Sequence, residues 1–347
     1  MPGLIGPDEV RAIAEAALDI PGADGVEMLF FHEWGGLTRF ARSSIHQSTW
    51  REDTGIRIRV ISRGRIGVAS SNDFSKEGAR RVAASALELA EVAAPDSMFP
   101  GLSLASEVPE KDGAFDEATA DTTPEQRAEG VAGLVGQIGD GFHAAGAFET
   151  ASVEVGLANT EGQFCYGPYT QTTISTVVSG GEGGAGAADA TAGRIDQIDP
   201  ELVGRRAFQK AQDSRHPHDA QPGRYEVVLE PMAVDTLVAF LAYMGFSGRA
   251  IHEGRSPFSG KEGQQVAGPS IDIYDDALSP LTLGIPFDFE GTPKRRLDLI
   301  EKGVFRQGAH DRRSAKVAGT ESTGHALPPP NPEGAFPLNL FLGNGDA

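Results

Sequence analysis

The sequence predicts an α+β fold: an N-terminal α/β domain of antiparallel sheet and helices over residues 1–220, then a β-rich C-terminal domain over 221–347. Three observations predict it. Glycine and proline are plentiful, 44 and 22 among 347 residues, and the apolar share is 39%, which suits a turn-rich protein better than a helical bundle. Before Ser214, apolar residues recur at helical spacing in some windows and alternate in others. A polar stretch, Ser214 to Gly223, then divides the chain, and the segments after it are short and punctuated by Gly and Pro.

The elements follow in order. Residues 8–20 read as an amphipathic helix, with Val10, Ile13, Ala14 and Ala17 on one face. Extended runs come next at Gly25 to Phe31, Gly36 to Ser43 and Ser44 to Arg51. Ile56, Ile58 and Val60 alternate with Arg57 and Arg59 as a half-buried strand, and Ser62-Arg63-Gly64-Arg65 turns the chain into a strand from Ile66 to Ser70. A helix is predicted from about Ser75, and residues 95–122 as a surface connection. Thr123, Pro124 and Gln126 spell a capped helix start, followed by the stripe Val131, Leu134, Val135, Ile138 and Phe142. Strands are expected at Ala151 to Leu157 and Thr170 to Ser179, and a helix from Asp199 to about Asp213. Past the polar stretch, Tyr225 to Glu230 reads as a strand, and Pro231 to Gly245 as a helix whose stripe Val234, Leu237, Val238 and Leu241 faces a core. Ser270 to Tyr274 reads as a further short apolar run of the β-and-loop remainder.

Composition excludes several function classes. A formal net charge of −19 argues against nucleic acid as a partner, because phosphate binding rests on clustered Lys and Arg. A single cysteine, Cys165, permits no intramolecular disulfide and suits a reducing interior. No apolar run reaches the length of a membrane span, and Met1 to Val10 has no signal-peptide character, so a cytoplasmic location is expected.

Candidate sites are weak on geometry. His32-Glu33 and His252-Glu253 invite a zinc reading, which requires a second histidine four or five residues after the first. Those positions hold Gly36 and Leu37 in one case and Ser256 and Pro257 in the other. His216 and His218 lie in the polar linker and read as solvated. Gly181-Glu182-Gly183-Gly184-Ala185-Gly186 matches a dinucleotide fingerprint, but no helix can start at its glycines, so it reads as a β-connection. Cys165 reads as a buried small residue, and neither Ser314 nor Ser322 sits in a G-x-S-x-G elbow. Asp275, Asp276, Asp288 and Glu290 form a carboxylate-rich stretch that could serve acid–base work or bind a hard cation, and solvated turns explain it at least as well.

Five segments in order, Tyr225 to Pro231, Gly254 to Gly263, Ile271 to Asp276, Phe287 to Pro293 and Glu321 to His325, resemble the TldD/PmbA family, known as modulators of DNA gyrase and as zinc-dependent peptidases. Arg39 to Ala41, Ile45 to Gln47, Gly64 to Gly67 and Ser71 to Asp73 agree more loosely. The resemblance implies that the helix Pro231 to Gly245 corresponds to the one carrying HExxxH in the TldD type. Aligned on it, the histidine positions hold Ala239 and Met244 and the glutamate position holds Phe240. The chain is therefore similar to the PmbA (TldE) type, which lacks the metal site. What this implies is a non-catalytic subunit with no cofactor of its own, zinc residing in a TldD-type HExxxH-bearing partner, and an extended peptide as substrate. Gly254, Arg255, Ser256, Ser259, Gly260, Ser322, Thr323, Gly324 and His325 are the expected peptide or interface contacts. The family's β-rich segment continues past the last residue here, so the C-terminal domain reads as incomplete, either a piece or a shortened member. The alternatives are a non-enzymatic homodimeric peptide-binding protein, or relocated chemistry on His252, Glu253 or Cys165. The older link to gyrase finds no support in an acidic chain.

Overall fold

The computed structural model describes residues 3–343 and Gly345. Its main feature is a six-stranded antiparallel sheet in the order β3-β2-β1-β4-β5-β6, built from β1 (Gly25–Ala41), β2 (Ser44–Ser62), β3 (Arg65–Ser71), β4 (Phe142–Asn159), β5 (Phe164–Gly180) and β6 (Ala185–Ala192). The fold class is as predicted. The runs expected as separate strands are fused: Gly25 to Phe31 and Gly36 to Ala41 lie in β1, Arg42 and Ser43 form the turn, and Ser44 to Arg51 and Ile56 to Ile61 lie in β2. Gly35 and Gly36 break the apolar alternation but not the backbone ladder, which pairs them with Thr150 and Ala151 on one side and Trp50 and Arg51 on the other.

Four helices cover one face of this sheet. α1 (Pro7–Leu18) and α2 (Lys76–Val92) pack Val10, Ile13, Val82 and Ala86 against Met28, Phe30, Ile56 and Ile58. α4 (Pro124–Val135) and α5 (Pro200–Asp213) pack Val131, Leu134, Val203 and Ala207 against Phe40, Phe148, Ile174 and Val178. Between β3 and β4 lies also a single turn, α3 (Glu117–Ala120), inside the expected surface connection. The capping box predicted at Thr123 and Gln126 is formed, and Ser75 and Asp199, near which helices were expected to start, cap α2 and α5 with their side chains. That helix ends at Val135, however, and Phe142 opens β4 rather than closing the stripe. Gly67 marks the closest helix–sheet contact: a β-carbon there would stand 1.9 Å from the carbonyl oxygen of Ala86. Gly67→Val is expected to push α2 off the sheet and cost roughly 1–3 kcal/mol in urea unfolding.

The C-terminal part contains α6 (Pro231–Met244), α7 (Gly248–His252), β7 (Ile273–Asp275), β8 (Leu297–Glu301), β9 (Val304–Phe305), α8 (Arg312–Ala318) and β10 (Leu340–Leu342). Its strands form a small sheet in the order β10-β7-β8-β9 around stacked Phe246, Phe258 and Phe305. Two expectations need correction here. Tyr225 to Glu230 forms no strand; it is exposed, since no strand lies beside it among the described residues to complete a ladder. The stripe on α6 is not a core face either: Val234, Val238 and Leu241 are half-buried and Leu237 is exposed, with Ala242 the helix's buried residue.

Candidate functional site

Helix α6 starts at Pro231, which supplies the first helical φ without needing a donor, and it is anchored at its C-terminal end, where Leu241 packs on the Phe246 cluster. Tyr243 meets the ring of Phe336 at 5.4 Å. Between α6 and the segment leading into β10 runs a groove of about 540 Å³, walled by Pro231, Val234, Val238, Ala239, Phe336 and Leu340, with Asp235 its one ionisable side chain among the described residues. β10 pairs with β7 on one side; its other edge has no strand partner among the described residues. An open strand edge beside an apolar trough can take up an extended chain as an added strand, backbone groups pairing and side chains entering the trough.

The positions aligned with the metal ligands lie on this helix. Ala239 lines the groove, and Phe240 and Met244 are exposed. A methyl, a phenyl and a thioether do not supply the nitrogen, thiolate or carboxylate donors zinc takes. Among the described residues, no three His, Cys, Asp or Glu side chains are grouped so as to hold a metal ion. The residues present do not fit the group.

The segments singled out by resemblance fall in two places. Gly254, Arg255 and Gly260 are exposed, Ser259 is half-buried, and Ser256 is buried with its hydroxyl donating to the Gly245 carbonyl at 2.6 Å, so it fastens the end of α6. Ser322 is half-buried and donates to the His310 carbonyl, whereas Thr323, Gly324 and His325 are interior. His325 joins Thr323 (Nδ1 to Oγ1, 2.9 Å) to Asp275 (Nε2 to Oδ1, 3.0 Å). The order resembles a nucleophile, base and orienting acid, but His325 and Asp275 are sealed from solvent and Thr323 donates to the His310 carbonyl, so the string braces the domain. Burial works to raise the Asp275 carboxyl, and the hydrogen bond and charge of His325, the Asn339 amide and the charge of Lys294 together more than offset it, leaving the group below its usual range.

The carboxylates read as possibly solvated are mostly interior. Asp275, Asp288 and Glu290 are buried and Asp276 half-buried. Phe287 to Pro293 tucks under the open face of the large sheet, where Ile285 and Phe287 meet Leu29, Val155, Leu157 and Cys165. Asp288 accepts amides from Glu290, Thr292 and Ala326, each at 2.9 Å, and so ties this loop to the Ser322–His325 segment. Burial, helped by neighbouring Glu290, pushes its carboxyl up to about 7. Beside it, Arg59 of β2 bridges Glu27 of β1 at 2.7 Å and Glu290 at 3.5 Å. Composition offered no signal for this joint, because its charges are dispersed over three separate segments.

The remaining candidates resolve simply. Cys165 is buried in β5 with Gln163 donating to its sulfur at 3.2 Å, and burial pushes its thiol up to about 12, an unreactive state. His32 lies on β1, its Nδ1 2.8 Å from buried Glu154, which also accepts the amides of Ile5 and Gly6. His216 and His218 are exposed. Glu253, on the exposed end of α7, is held by Arg249 and Arg255, whose hydrogen bonds lower its carboxyl. The glycine run at 181–186 passes from a short 3₁₀ turn into β6, with no helix.

Comparison with known proteins agrees across the chain. Residues 222–347 match the PmbA/TldA metallopeptidase C-terminal domain, residues 29–90 its domain 1 and residues 116–215 its central domain. An uncharacterized protein of Methanocaldococcus jannaschii is 31% identical over 134 residues, covering 38% of this chain and 32% of that protein. A metalloprotease TldD homolog of Buchnera aphidicola is 31% identical over 108 residues, 31% of this chain and 22% of its own. The matched stretches thus span a third or less of those relatives. In three dimensions the chain is similar to a modulator of a DNA gyrase from Thermotoga maritima (TM-score 0.84, 20% identity) and to TldE from Thermococcus kodakarensis (TM-score 0.83, 23% identity), in each case over 97% of this chain and 77% of the other. At such identities the likeness concerns the fold.

Proposed function

This chain belongs to the PmbA/TldD family, and from that membership we propose that it is a non-catalytic subunit that pairs with an HExxxH-bearing relative to act on extended peptides. The observation that carries the reading is the α6–β10 groove. It keeps a helix, an apolar trough and a strand edge that has no strand partner among the described residues, while the aligned ligand positions hold Ala239, Phe240 and Met244. The role left to such a groove is to hold peptide backbone and exclude water; the metal is assigned to the partner, and no step of bond cleavage to this chain. The trough's width of choice follows from its chemistry, since apolar walls and a backbone edge discriminate little among sequences.

The test mixes the purified chain with an HExxxH-bearing family member and an unstructured peptide. Expected are no zinc on the isolated chain by elemental analysis, no cleavage by it alone, and faster cleavage by the mixture than by the relative alone. Val238→Glu places a carboxylate in the apolar wall and should raise KM roughly tenfold or more with complex formation intact. Zinc on the isolated chain, or cleavage that its addition does not increase, overturns the reading.

A further inference from the structure

The walls of the α6–β10 groove are apolar but for Asp235, the one charged side chain lining it among the described residues. Asp235 stands four positions before Ala239, on the same face of the helix, with Val234 and Val238 beside it. Across the trough Leu338, Leu340 and Leu342 recur at the two-residue period of a strand, while Phe341 between them stacks on Tyr274. The Asp235 carboxylate is exposed and joins no ion pair among the described residues, whereas Glu230, just before the helix, is paired with Lys210. Nothing local calls for a carboxylate at this point. Asp235 lies beyond the first turn of α6, where the attraction of the helix dipole for anions has faded.

We propose that Asp235 sets the specificity of the groove, selecting extended peptides that carry a lysine or arginine with an apolar residue two positions away. The inference rests on the peptide-holding role given to the groove above and names its substrate class. A peptide added as a strand along β10 turns alternate side chains into the trough. Most of the trough is hydrocarbon, so the side chains entering it are apolar; at Asp235 one of them meets a carboxylate. A lysine or arginine satisfies both demands, because its methylene stem lies along Val234 and Val238 while its charged tip reaches Asp235. A glutamate at that position sets two carboxylates together. A plain alkyl chain takes water from Asp235 and returns no partner. The apolar walls and the backbone edge choose little, and the formal charge of −19 attracts cationic peptides without choosing a position in them; Asp235 supplies that choice.

The test mixes the full chain with an HExxxH-bearing family member and follows cleavage of three unstructured nonapeptides. They are alike except for a central lysine, norleucine or glutamate, with leucine two positions away on each side. KM should rise in that order, roughly three- to fivefold from lysine to norleucine, as suits an ion pair open to solvent. The preference should shrink in about 0.5 M salt. Asp235→Asn should bring the lysine and norleucine values together, and Asp235→Lys should favour the glutamate peptide, with circular dichroism and complex formation as in the parent. The relative is the same in every mixture, so its own preferences cancel between parent and variant. A mixture that cleaves none of the peptides faster than the relative alone overturns the peptide-holding role and this inference with it. Faster cleavage with a lysine-to-norleucine ratio that Asp235→Asn leaves unchanged overturns this inference alone.

Discussion

Arg59→Ala is expected to cost about 3–5 kcal/mol of folding stability, the usual penalty for removing one partner of a buried ion pair. Glu27 and Arg59 face each other in register across β1 and β2, both buried, at 2.7 Å. Burial alone would drive Glu27 toward its neutral form, and Arg59 is the nearest cation opposing that. The same guanidinium holds Glu290, whose other oxygen accepts the Arg312 amide at 3.0 Å, so this side chain adds an ionic tie to the packing of Phe287 and Phe289 on the sheet. Without it, two carboxylates remain in a site with little water. Urea unfolding of the single variant gives the cost. The paired change Glu27→Gln with Arg59→Met, which removes charge from both partners, should recover most of it. A single variant within about 1 kcal/mol of the parent would mean that water reaches the pair.

The second large effect is in pH dependence. Asp288 is pushed up to about 7 in the folded chain, first by burial and then by Glu290, whereas an aspartate in the unfolded chain titrates near 3.9. Between those values the folded state holds a proton that the unfolded state has lost. Stability therefore falls as pH rises from about 4 to about 7 on account of this group, and levels off above. Asp288→Asn cannot ionise. Relative to the variant, the parent should be most stable near pH 4 and lose a few kcal/mol of that advantage by pH 7, read from chemical denaturation at each pH. Asp275 and Glu154 work in the opposite sense: their carboxyls are lowered, despite burial, by His325 and by His32 with the Ile5 and Gly6 amides. Their contribution is lost as pH falls, but it is common to both proteins and cancels in the comparison. A difference curve that is flat from pH 4 to 7 would show that Asp288 stays ionised, held by the three amides it accepts.

Much of the fold was legible where the cause is local. Thr123 and Gln126 satisfy each other's helix-end groups within four residues, so the capping box could be read directly and is formed. The turn at Arg63 and Gly64 follows from the left-handed backbone that glycine accepts readily. The lengths of β1 and β2 were not legible, because Gly35 and Gly36 look like a break. At Gly35 the missing side chain is what admits the backbone of β4: a β-carbon there would stand 2.2 Å from the Thr150 carbonyl oxygen. Tyr225 to Glu230 failed in the reverse way. Its residues favour a strand, but a strand exists only against a neighbour.

The candidate site divides along the same line. Residue identity alone determined that Ala239, Phe240 and Met244 cannot ligate zinc, that one cysteine cannot make an internal disulfide, and that an acidic chain is a poor ligand for phosphate backbones. These are properties of side-chain chemistry, which no packing alters. Only the tertiary structure decided that α6 is flanked by a groove instead of sunk in a core, that Asp288 and His325 are interior, and that Glu27, Arg59 and Glu290 meet. Burial and charge pairing depend on which distant segments share a volume, and Arg59 and Glu290 are separated by more than two hundred residues of chain.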